Sequence, residues 1–315
     1  MRQTEFPYLP KDFIETAEGL IFAVVSYQPQ AGKVGGFLRY VRSGSAWSKV
    51  GTDEANALLT EYYPQYLYHS KQFDAAFHAV SPDVIVKHHQ PEKRLEQVLK
   101  QTAPDEITLK LQQLIPILVR YGVNCNVLGL TGSMLIGQQT AQSDIDLVVY
   151  GRTNFHLTRA AVRAAVLVEE LMLLDETLMR DNFHRRAGAL NFDDFSWHEN
   201  RKFNKAVIQG TKFDIGMVCS VADVDLGKYQ KQDCLTLVSE VVDDQYAFDF
   251  PARYIISDNV ISEVLVYTQT YVGQAIIGEQ VEVSGAVESD VETGKCRLVV
   301  GSSREALGEY IKVCR

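Results

Sequence analysis

Hydrophobic and polar positions change their spacing several times along the chain, and these changes indicate where different elements lie. Residues 1–50 contain alternating apolar stretches on either side of the turn QAGKVGG, a pattern that predicts a β-hairpin. Apolar residues recur at helical spacing over 93–122, and Tyr121-Gly122 ends that run. From about Tyr246 onward, short alternating runs separated by glycines predict strands.

These patterns predict an α+β protein of three domains. The first domain, residues 1–92, is β-rich or mixed, and the second, residues 93–245, is the central domain. The third, residues 246–315, is small and β-rich, with a barrel-like sheet that is a candidate OB-like fold. The first boundary falls in a polar stretch around Lys87 to Arg94. Because polar linkers lie at the surface, we expect His88 and His89 in this stretch to be exposed.

The central region places two carboxylates in an otherwise apolar strand, SDIDLVVYG. Side chains alternate between the faces of a strand, so Asp144 and Asp146 share one face while Ile145 and Leu147 point into the core. Neighbouring carboxylates repel each other and raise the pKa of one of them. A divalent cation removes that repulsion, and Mg²⁺ prefers hard oxygen ligands. The sequence therefore predicts a metal site on this face.

The turn before this strand supplies a second candidate feature. Gly132 allows close approach of the backbone to a ligand, and Ser133 provides a hydroxyl where a helix over 134–139 is expected to begin. A third carboxylate, Asp214, lies between two apolar residues of a later predicted strand, and Lys212 shares its face. Three carboxylates are able to hold two metal ions. The rival candidate for the third carboxylate is Asp193 or Asp194, which are otherwise expected to be a helix N-cap.

The combination of Gly132-Ser133, a spacer of ten residues, Asp144-Ile145-Asp146-Leu147 and a later Phe213-Asp214-Ile215 resembles the signature of the DNA polymerase β-like nucleotidyltransferase superfamily. The whole chain is similar to an uncharacterised group of predicted nucleotidyltransferases of that superfamily. Two features depart from the usual pattern: Thr131 stands where an apolar residue is common, and the gap before Asp214 is long.

The resemblance implies a mixed-sheet nucleotidyltransferase core and a function for each motif. Gly132, Ser133 and, by its position, Lys212 would contact the triphosphate of a nucleoside triphosphate such as ATP. Asp144, Asp146 and Asp214 would bind Mg²⁺, with two ions expected, and Asp214 would help to activate an acceptor hydroxyl. The acceptor is left open among RNA, a protein and a small molecule. The alternative function is a non-catalytic regulator that binds a nucleotide or RNA.

Composition restricts the setting in which this chemistry is expected. The formal net charge is −9, which argues against broad nonspecific nucleic-acid binding, and the acidic excess lies in residues 216–315. Five scattered cysteines and the absence of a long apolar run favour a cytoplasmic protein that does not interact with membranes. Basic side chains are concentrated before and within the third-carboxylate strand, where they are phosphate-binding candidates or a solvated helix face: Arg185, Arg186, Arg201, Lys202, Lys205 and Lys212.

Overall fold

A computed structural model of the chain describes residues 6–70, 75–186, 188–219, 228–302 and 306–315. Its α-helices are α1 (Thr52–Tyr62), α2 (Pro91–Leu99), α3 (Glu106–Arg120), α4 (Gly132–Leu135), α5 (Arg152–Leu167), α6 (Glu176–Arg186) and α7 (Phe192–Lys202). Its strands are β1 (Phe13–Thr16), β2 (Leu20–Val24), β3 (Val34–Ser43), β4 (Ala46–Lys49), β5 (Leu67–Ser70), β6 (Ala75–Val80), β7 (Ile85–His89), β8 (Leu128–Leu130), β9 (Ile145–Tyr150), β10 (Lys205–Ile208), β11 (Thr211–Val218), β12 (Tyr229–Tyr246), β13 (Ala252–Ile256), β14 (Ile261–Val266), β15 (Gln280–Asp290), β16 (Cys296–Val300) and β17 (Tyr310–Val313). The predicted α+β class is confirmed.

The chain forms two compact units, and each of them is assembled from two separate stretches of sequence. Unit 1 comprises Met1–Glu170 and Ile208–Asp223, and unit 2 comprises Leu171–Val207 and Val224–Arg315. The predicted domain ranges 1–92, 93–245 and 246–315 remain a prediction about independently folding domains. The changes of unit fall at other points, after Glu170, Val207 and Asp223.

Unit 1 begins with an antiparallel sheet whose strands lie in the order β5-β6-β3-β2-β1-β7, with β4 paired to β3. The predicted hairpin is confirmed, because β2 and β3 pair antiparallel from Leu20 opposite Val41 to Val24 opposite Gly36. Ile14, Phe22 and other apolar side chains of the sheet pack with Leu59 of α1 in one buried cluster. Burial of these side chains stabilises the region that supplies Lys11, described below.

The second sheet of unit 1 positions the candidate site. In it β9 lies between β11, which runs parallel to it, and β8, which runs antiparallel. Helix α2 packs on β8, and α3 and α5 pack on each other. The helix predicted over 93–122 is confirmed for most of that range, but it is not continuous, because α2 ends at Leu99 and α3 starts at Glu106. The chain begins this new helix after Asp105, whose carboxylate accepts the Thr108 N–H at 2.8 Å.

Unit 2 contains a closed sheet, which confirms the barrel-like arrangement predicted for the C-terminal region. Its strands follow the order β12-β13-β14-β16-β15, the pairing of β12 with β15 closes the ring, and β17 adds to β15. Tyr254, Val264 and Leu298 are fully buried in its core. The closer resemblance to an OB barrel remains a prediction. Among the described residues, no helix has both the length and the apolar content needed to cross a membrane.

Candidate metal and nucleotide site

Two of the three predicted carboxylates lie directly opposite each other on adjacent parallel strands. Asp146 of β9 is paired in register with Asp214 of β11, and the flanking pair Ile145 and Phe213 is fully buried on the other side. Asp144 immediately precedes β9, so it keeps the two-residue offset that places it on the face of Asp146. The structure therefore brings together three carboxylates that are distant in sequence.

Lys212 places a positive charge between two of these carboxylates. Its Nζ lies 2.9 Å from Asp144 Oδ2 and 3.6 Å from Asp214 Oδ2, and its side chain is only 8% exposed. The predicted shared face of Lys212 and Asp214 is thus present. Because a buried ammonium is unfavourable without a counter-charge, both carboxylates stabilise Lys212. Asp144 and Asp214 are directed toward one shared cation position.

Asp146 carries the electrostatic strain of the cluster. Burial and the nearby carboxylates of Asp214 and Asp144 raise its pKa to about 6, against the opposing effect of the cations Lys11 and Lys212. A raised carboxyl pKa means that the ionised form is disfavoured in the native structure. The site therefore contains more negative charge than its own two lysines balance, and additional positive charge would be favourable there.

Gly132 lies directly against the carboxylate of Asp146. Its backbone has a φ of +66°, and a Cβ at this position would lie 2.1 Å from Asp146 Oδ2. Helix α4, expected over 134–139, is instead a single turn over Gly132–Leu135, because the backbone leaves the helical region at Ile136. Ser133 lies in that turn with a half-buried side chain. Its predicted contact with phosphate, like that of Gly132 and Lys212, remains a prediction.

Thr131 ties the turn to the rest of unit 1. Its N–H donates to the Asp146 carbonyl at 2.9 Å, and its hydroxyl donates to the Lys11 carbonyl at 2.8 Å. Thr131, which stands where the resembled superfamily commonly has an apolar residue, therefore uses its hydroxyl in a specific structural contact. It joins the turn that contains Gly132 both to β9 and to the N-terminal segment.

Lys11 is a member of the site that the sequence did not indicate. Its backbone has a φ of +77°, unusual for a residue with a side chain, and its charge lowers the pKa of Asp146. The side chain passes close to β11, since a Cβ on Gly216 would lie 3.6 Å from Lys11 Cε. Lys11 has no motif around it, and only the folded chain brings it to Asp146.

The donor chemistry of the cluster fits Mg²⁺, whereas the present side-chain orientations favour Lys212. Carboxylates are the oxygen ligands that Mg²⁺ takes from proteins, and burial together with the neighbouring carboxylates raises the pKa of Asp146. Among the described residues, however, no group of three or more His, Cys, Asp or Glu side chains is arranged to hold one metal ion. In the present arrangement Asp144 and Asp214 both contact the Lys212 ammonium.

The expectation that His88 and His89 are exposed in a linker is wrong. Both belong to β7, where His88 Nε2 lies 2.7 Å from Asp12 Oδ2 and His89 Nε2 lies 3.1 Å from Glu15 Oε2. The sequence is locally polar because these imidazoles pair with carboxylates of β1 and of the residue before it. Both histidines are half-buried, and their carboxylate partners explain why polar residues stand in this strand.

Most of the candidate phosphate-binding cations in unit 2 have structural partners. Lys202 and Lys205 are buried against Glu199, and Arg201 pairs with Glu279 at 2.5 Å. These ion pairs assign Lys202 and Lys205 to the interior of unit 2. The N-cap position predicted for Asp193 or Asp194 is wrong: Asn191 is the N-cap of α7, and its side chain accepts the Asp194 N–H. Asp193 and Asp194 lie in the first turn, where negative side chains are favourable.

Comparison with known proteins gives one whole-length relative. The chain is 30% identical over 345 residues to a protein of Methanocaldococcus jannaschii described as uncharacterized protein MJ1086, and the alignment covers 97% of this chain and 98% of that protein. No family model matches the chain. No solved structure matches it either. Identity at this level over nearly the full length of both chains shows common descent, and the protein belongs to the same family as MJ1086 of Methanocaldococcus jannaschii.

Proposed function

We propose that the protein is a Mg²⁺-dependent nucleotidyltransferase of the DNA polymerase β-like type. It would transfer a nucleoside monophosphate from a nucleoside triphosphate to an acceptor hydroxyl and release pyrophosphate. The observation that carries this proposal is the in-register pairing of Asp146 with Asp214, beside Asp144 and in contact with the turn at Gly132.

Each residue of the cluster has a role that its position supports. Asp144, Asp146 and Asp214 would hold Mg²⁺, which when bound would offset the charge of the carboxylates and of the phosphates and orient the α-phosphate. The Gly132-Ser133 turn would contact the triphosphate, and the ammonium of Lys212 would bind a phosphate oxygen. These contacts fix the orientation of the donor, which is a large part of catalysis in phosphoryl transfer.

Asp214 is the residue placed to receive the acceptor. In the proposed step, its carboxylate accepts the proton of the acceptor hydroxyl while the acceptor oxygen bonds to the α-phosphorus. The bond between the α-phosphorus and the bridging oxygen to the β-phosphate breaks, and pyrophosphate leaves with that electron pair. Asp146, which is paired in register with Asp214 on the neighbouring strand, would hold Mg²⁺ beside it.

One observation supports a second candidate, a non-catalytic protein that binds a nucleotide or RNA on the same fold. Lys212 already supplies a cation to Asp144 and Asp214, and the described residues contain no arranged group of three metal ligands. In such a regulator the ammonium would take the place of the metal permanently. The two candidates differ in whether Mg²⁺ is required for nucleotide binding.

A calorimetric titration distinguishes these candidates. ATP, GTP, CTP and UTP would be titrated with and without Mg²⁺ into the wild type and into an Asp144→Asn/Asp146→Asn variant. Asp53→Asn/Glu54→Gln, in the first turn of α1, makes the same change of charge away from the site and is the matched control. We expect Mg²⁺-dependent binding that the control retains and the site variant loses. Nucleotide binding that is independent of Mg²⁺ and of both aspartates would favour the regulator.

A further inference from the structure

Unit 1 also contains a pocket, distinct from the carboxylate cluster, that has a strongly basic lining. It has a volume of about 290 Å³ and is formed by the end of β7, the first turns of α2 and the residues that follow α4. Three of its lining side chains are the cations Lys87, Lys93 and Arg94. Among the described residues that line it, none is acidic. The pocket is therefore suited to an anion.

The position of two of these cations on α2 is informative. Lys93 and Arg94 occupy the first turn of a nine-residue helix, where the helix dipole favours negative side chains and bound anions. Arg94 Nε donates to the Met134 carbonyl of α4 at 2.8 Å, which holds the guanidinium group at the pocket wall. Cations at this end of a helix are unfavourable by themselves; Glu92 in the same turn and Asp105 near Arg94 offset part of this charge, and a bound anion would offset more.

The wall formed by β7 is held in place by hydrogen bonds of its two histidines, and burial lowers the pKa of His89. Asp12 and Glu15 contact the Nε2 atoms of His88 and His89, and the ring of Tyr8 lies 4.8 Å from the ring of His88. These carboxylates lie behind the imidazoles and do not line the pocket. The wall is therefore preorganised, which reduces the entropy lost when a ligand binds.

Gln90 indicates a second property of the ligand. Its Oε1 atom is buried and has no hydrogen-bond partner, whereas its Nε2 lies 3.3 Å from His88 Nδ1. A buried acceptor without a partner is destabilising. Gln90 lines the pocket, so a rotation of its side chain would let a ligand hydroxyl donate to this oxygen. The pocket thus combines positive charge with an acceptor, the complement of a phosphate and a hydroxyl on one molecule.

We propose that this pocket binds the phosphate group of a small, hydroxyl-bearing compound such as a sugar phosphate, and that this compound is the acceptor. The volume is near the lower limit for small-molecule sites, which suits one phosphorylated sugar better than a polymer. Naming the compound as acceptor rests on the proposed nucleotidyl transfer. Gly132 at the carboxylates and Leu135 at the pocket belong to the same single helical turn, α4, which connects the two places.

The test measures binding of ribose 5-phosphate, with ribose as the uncharged comparison, by calorimetry on the full chain. Lys87→Glu/Lys93→Glu reverses two charges in the pocket, and Lys49→Glu/Lys100→Glu makes the same change at exposed lysines outside it. We expect the wild type to bind ribose 5-phosphate and not ribose. The pocket variant should bind it at least tenfold more weakly, and the control variant less than twofold more weakly. Circular dichroism verifies folding.

Two further variants separate the parts of the proposal. Gln90→Leu should weaken ribose 5-phosphate binding several-fold and leave inorganic phosphate binding unchanged, because the amide contacts the hydroxyl. Asp144→Asn/Asp146→Asn should retain ribose 5-phosphate binding and lose Mg²⁺-dependent ATP binding. The second result distinguishes failure of the nucleotidyltransferase proposal from failure of the pocket proposal.

Several results would overturn the pocket proposal. One is that the folded wild type does not bind ribose 5-phosphate at millimolar concentration. Another is that the pocket variant and the control variant lose affinity for it equally. Loss of ATP binding alone in Lys87→Glu/Lys93→Glu would assign the pocket to the donor nucleotide. Binding of a single-stranded oligonucleotide without binding of the sugar phosphate would replace the small acceptor with a polymer.

Discussion

Gly132 meets two separate constraints at once, because its backbone is left-handed and its missing Cβ leaves room for the Asp146 carboxylate. Gly122 meets only the first constraint, since its φ is +92° and a Cβ there would contact nothing within 4 Å. A comparison of Gly132 with Gly122 thus separates the effect of backbone strain from the effect of a collision with the carboxylate.

We expect Gly132→Ala and Gly122→Ala to lower the free energy of unfolding by about 1 kcal/mol each through backbone strain. Only Gly132→Ala should lose more stability than this and also lose Mg²⁺-dependent nucleotide binding, because its methyl group displaces Asp146. Urea denaturation and calorimetry measure the two effects. Wild-type nucleotide binding by Gly132→Ala would contradict the close fit of Gly132 to the carboxylate.

Asp146 makes stability depend on pH in a defined direction. Its pKa of about 6 is above the ordinary aspartate value, so the native state binds more protons than the unfolded state between about pH 4 and pH 6. The contribution of Asp146 to the free energy of unfolding of the metal-free protein therefore falls as pH rises through that range. Above pH 6 the unfavourable contribution is complete.

Removing this charge should stabilise the protein. In EDTA at pH 8, we expect Asp146→Asn to be more stable than the wild type by about 2 kcal/mol, a difference that vanishes below about pH 4. Denaturation at both pH values measures it, with Asp53→Asn as a control that changes little. Equal stabilities of Asp146→Asn and wild type at pH 8 would show that Asp146 is not electrostatically strained.

At the scale of elements, the parallel pairing of β9 with β11 brings Lys212 and the carboxylates together. We expect Lys212→Met to destabilise the metal-free protein by about 2 kcal/mol, because two carboxylates lose their buried counter-charge. Added Mg²⁺ should then raise the melting temperature of this variant more than that of the wild type, since no ammonium competes for the carboxylates.

Lys110→Met is the matched control for this experiment. Lys110 Nζ lies 3.0 Å from the hydroxyl of Thr211, the neighbour of Lys212, and 2.8 Å from Glu106, away from the carboxylate cluster. Its removal should leave the response to Mg²⁺ unchanged. The same Mg²⁺ response in wild type and Lys212→Met would mean that Lys212 does not occupy a cation position.

Elements whose evidence is local were predictable from the sequence. The strand with Asp146, the strand with Asp214 and the turn at Gly132 each have a pattern within a few residues, and the structure contains all three. Lys11 was not predictable, because it reaches the site only through contacts such as that of its carbonyl with Thr131. His88 was misassigned because its partner Asp12 lies on a distant stretch of chain.

At the scale of the whole molecule, unit 1 is completed by a stretch that follows an insertion. Residues 171–207 belong to unit 2, and near their two ends Met172 and Val207 exchange backbone hydrogen bonds of 3.0 and 2.8 Å. The chain therefore leaves and re-enters unit 1 from neighbouring points of unit 2. Such an insertion is replaceable by a short connection.

We expect a polypeptide of residues 93–245, the predicted central domain, not to fold cooperatively, because it lacks the β1–β7 sheet and carries parts of both units. A chain that joins 1–170 to 208–223 through a short Gly-Ser linker should fold. Thermal unfolding followed by circular dichroism compares the two. Cooperative unfolding of 93–245 alone would show that this range is an independent domain.

The interleaving of the two units has a consequence for the order in which the site forms during synthesis. Asp214 leaves the ribosome roughly 70 residues after Asp146, a delay of several seconds at about 5–20 residues per second. Until then β9 lacks its parallel neighbour, and Asp146 lacks both Asp214 and Lys212. The carboxylate cluster of a nascent chain is therefore incomplete until the first part of unit 2 has been made. Any Mg²⁺ that needs all three carboxylates binds only after that point.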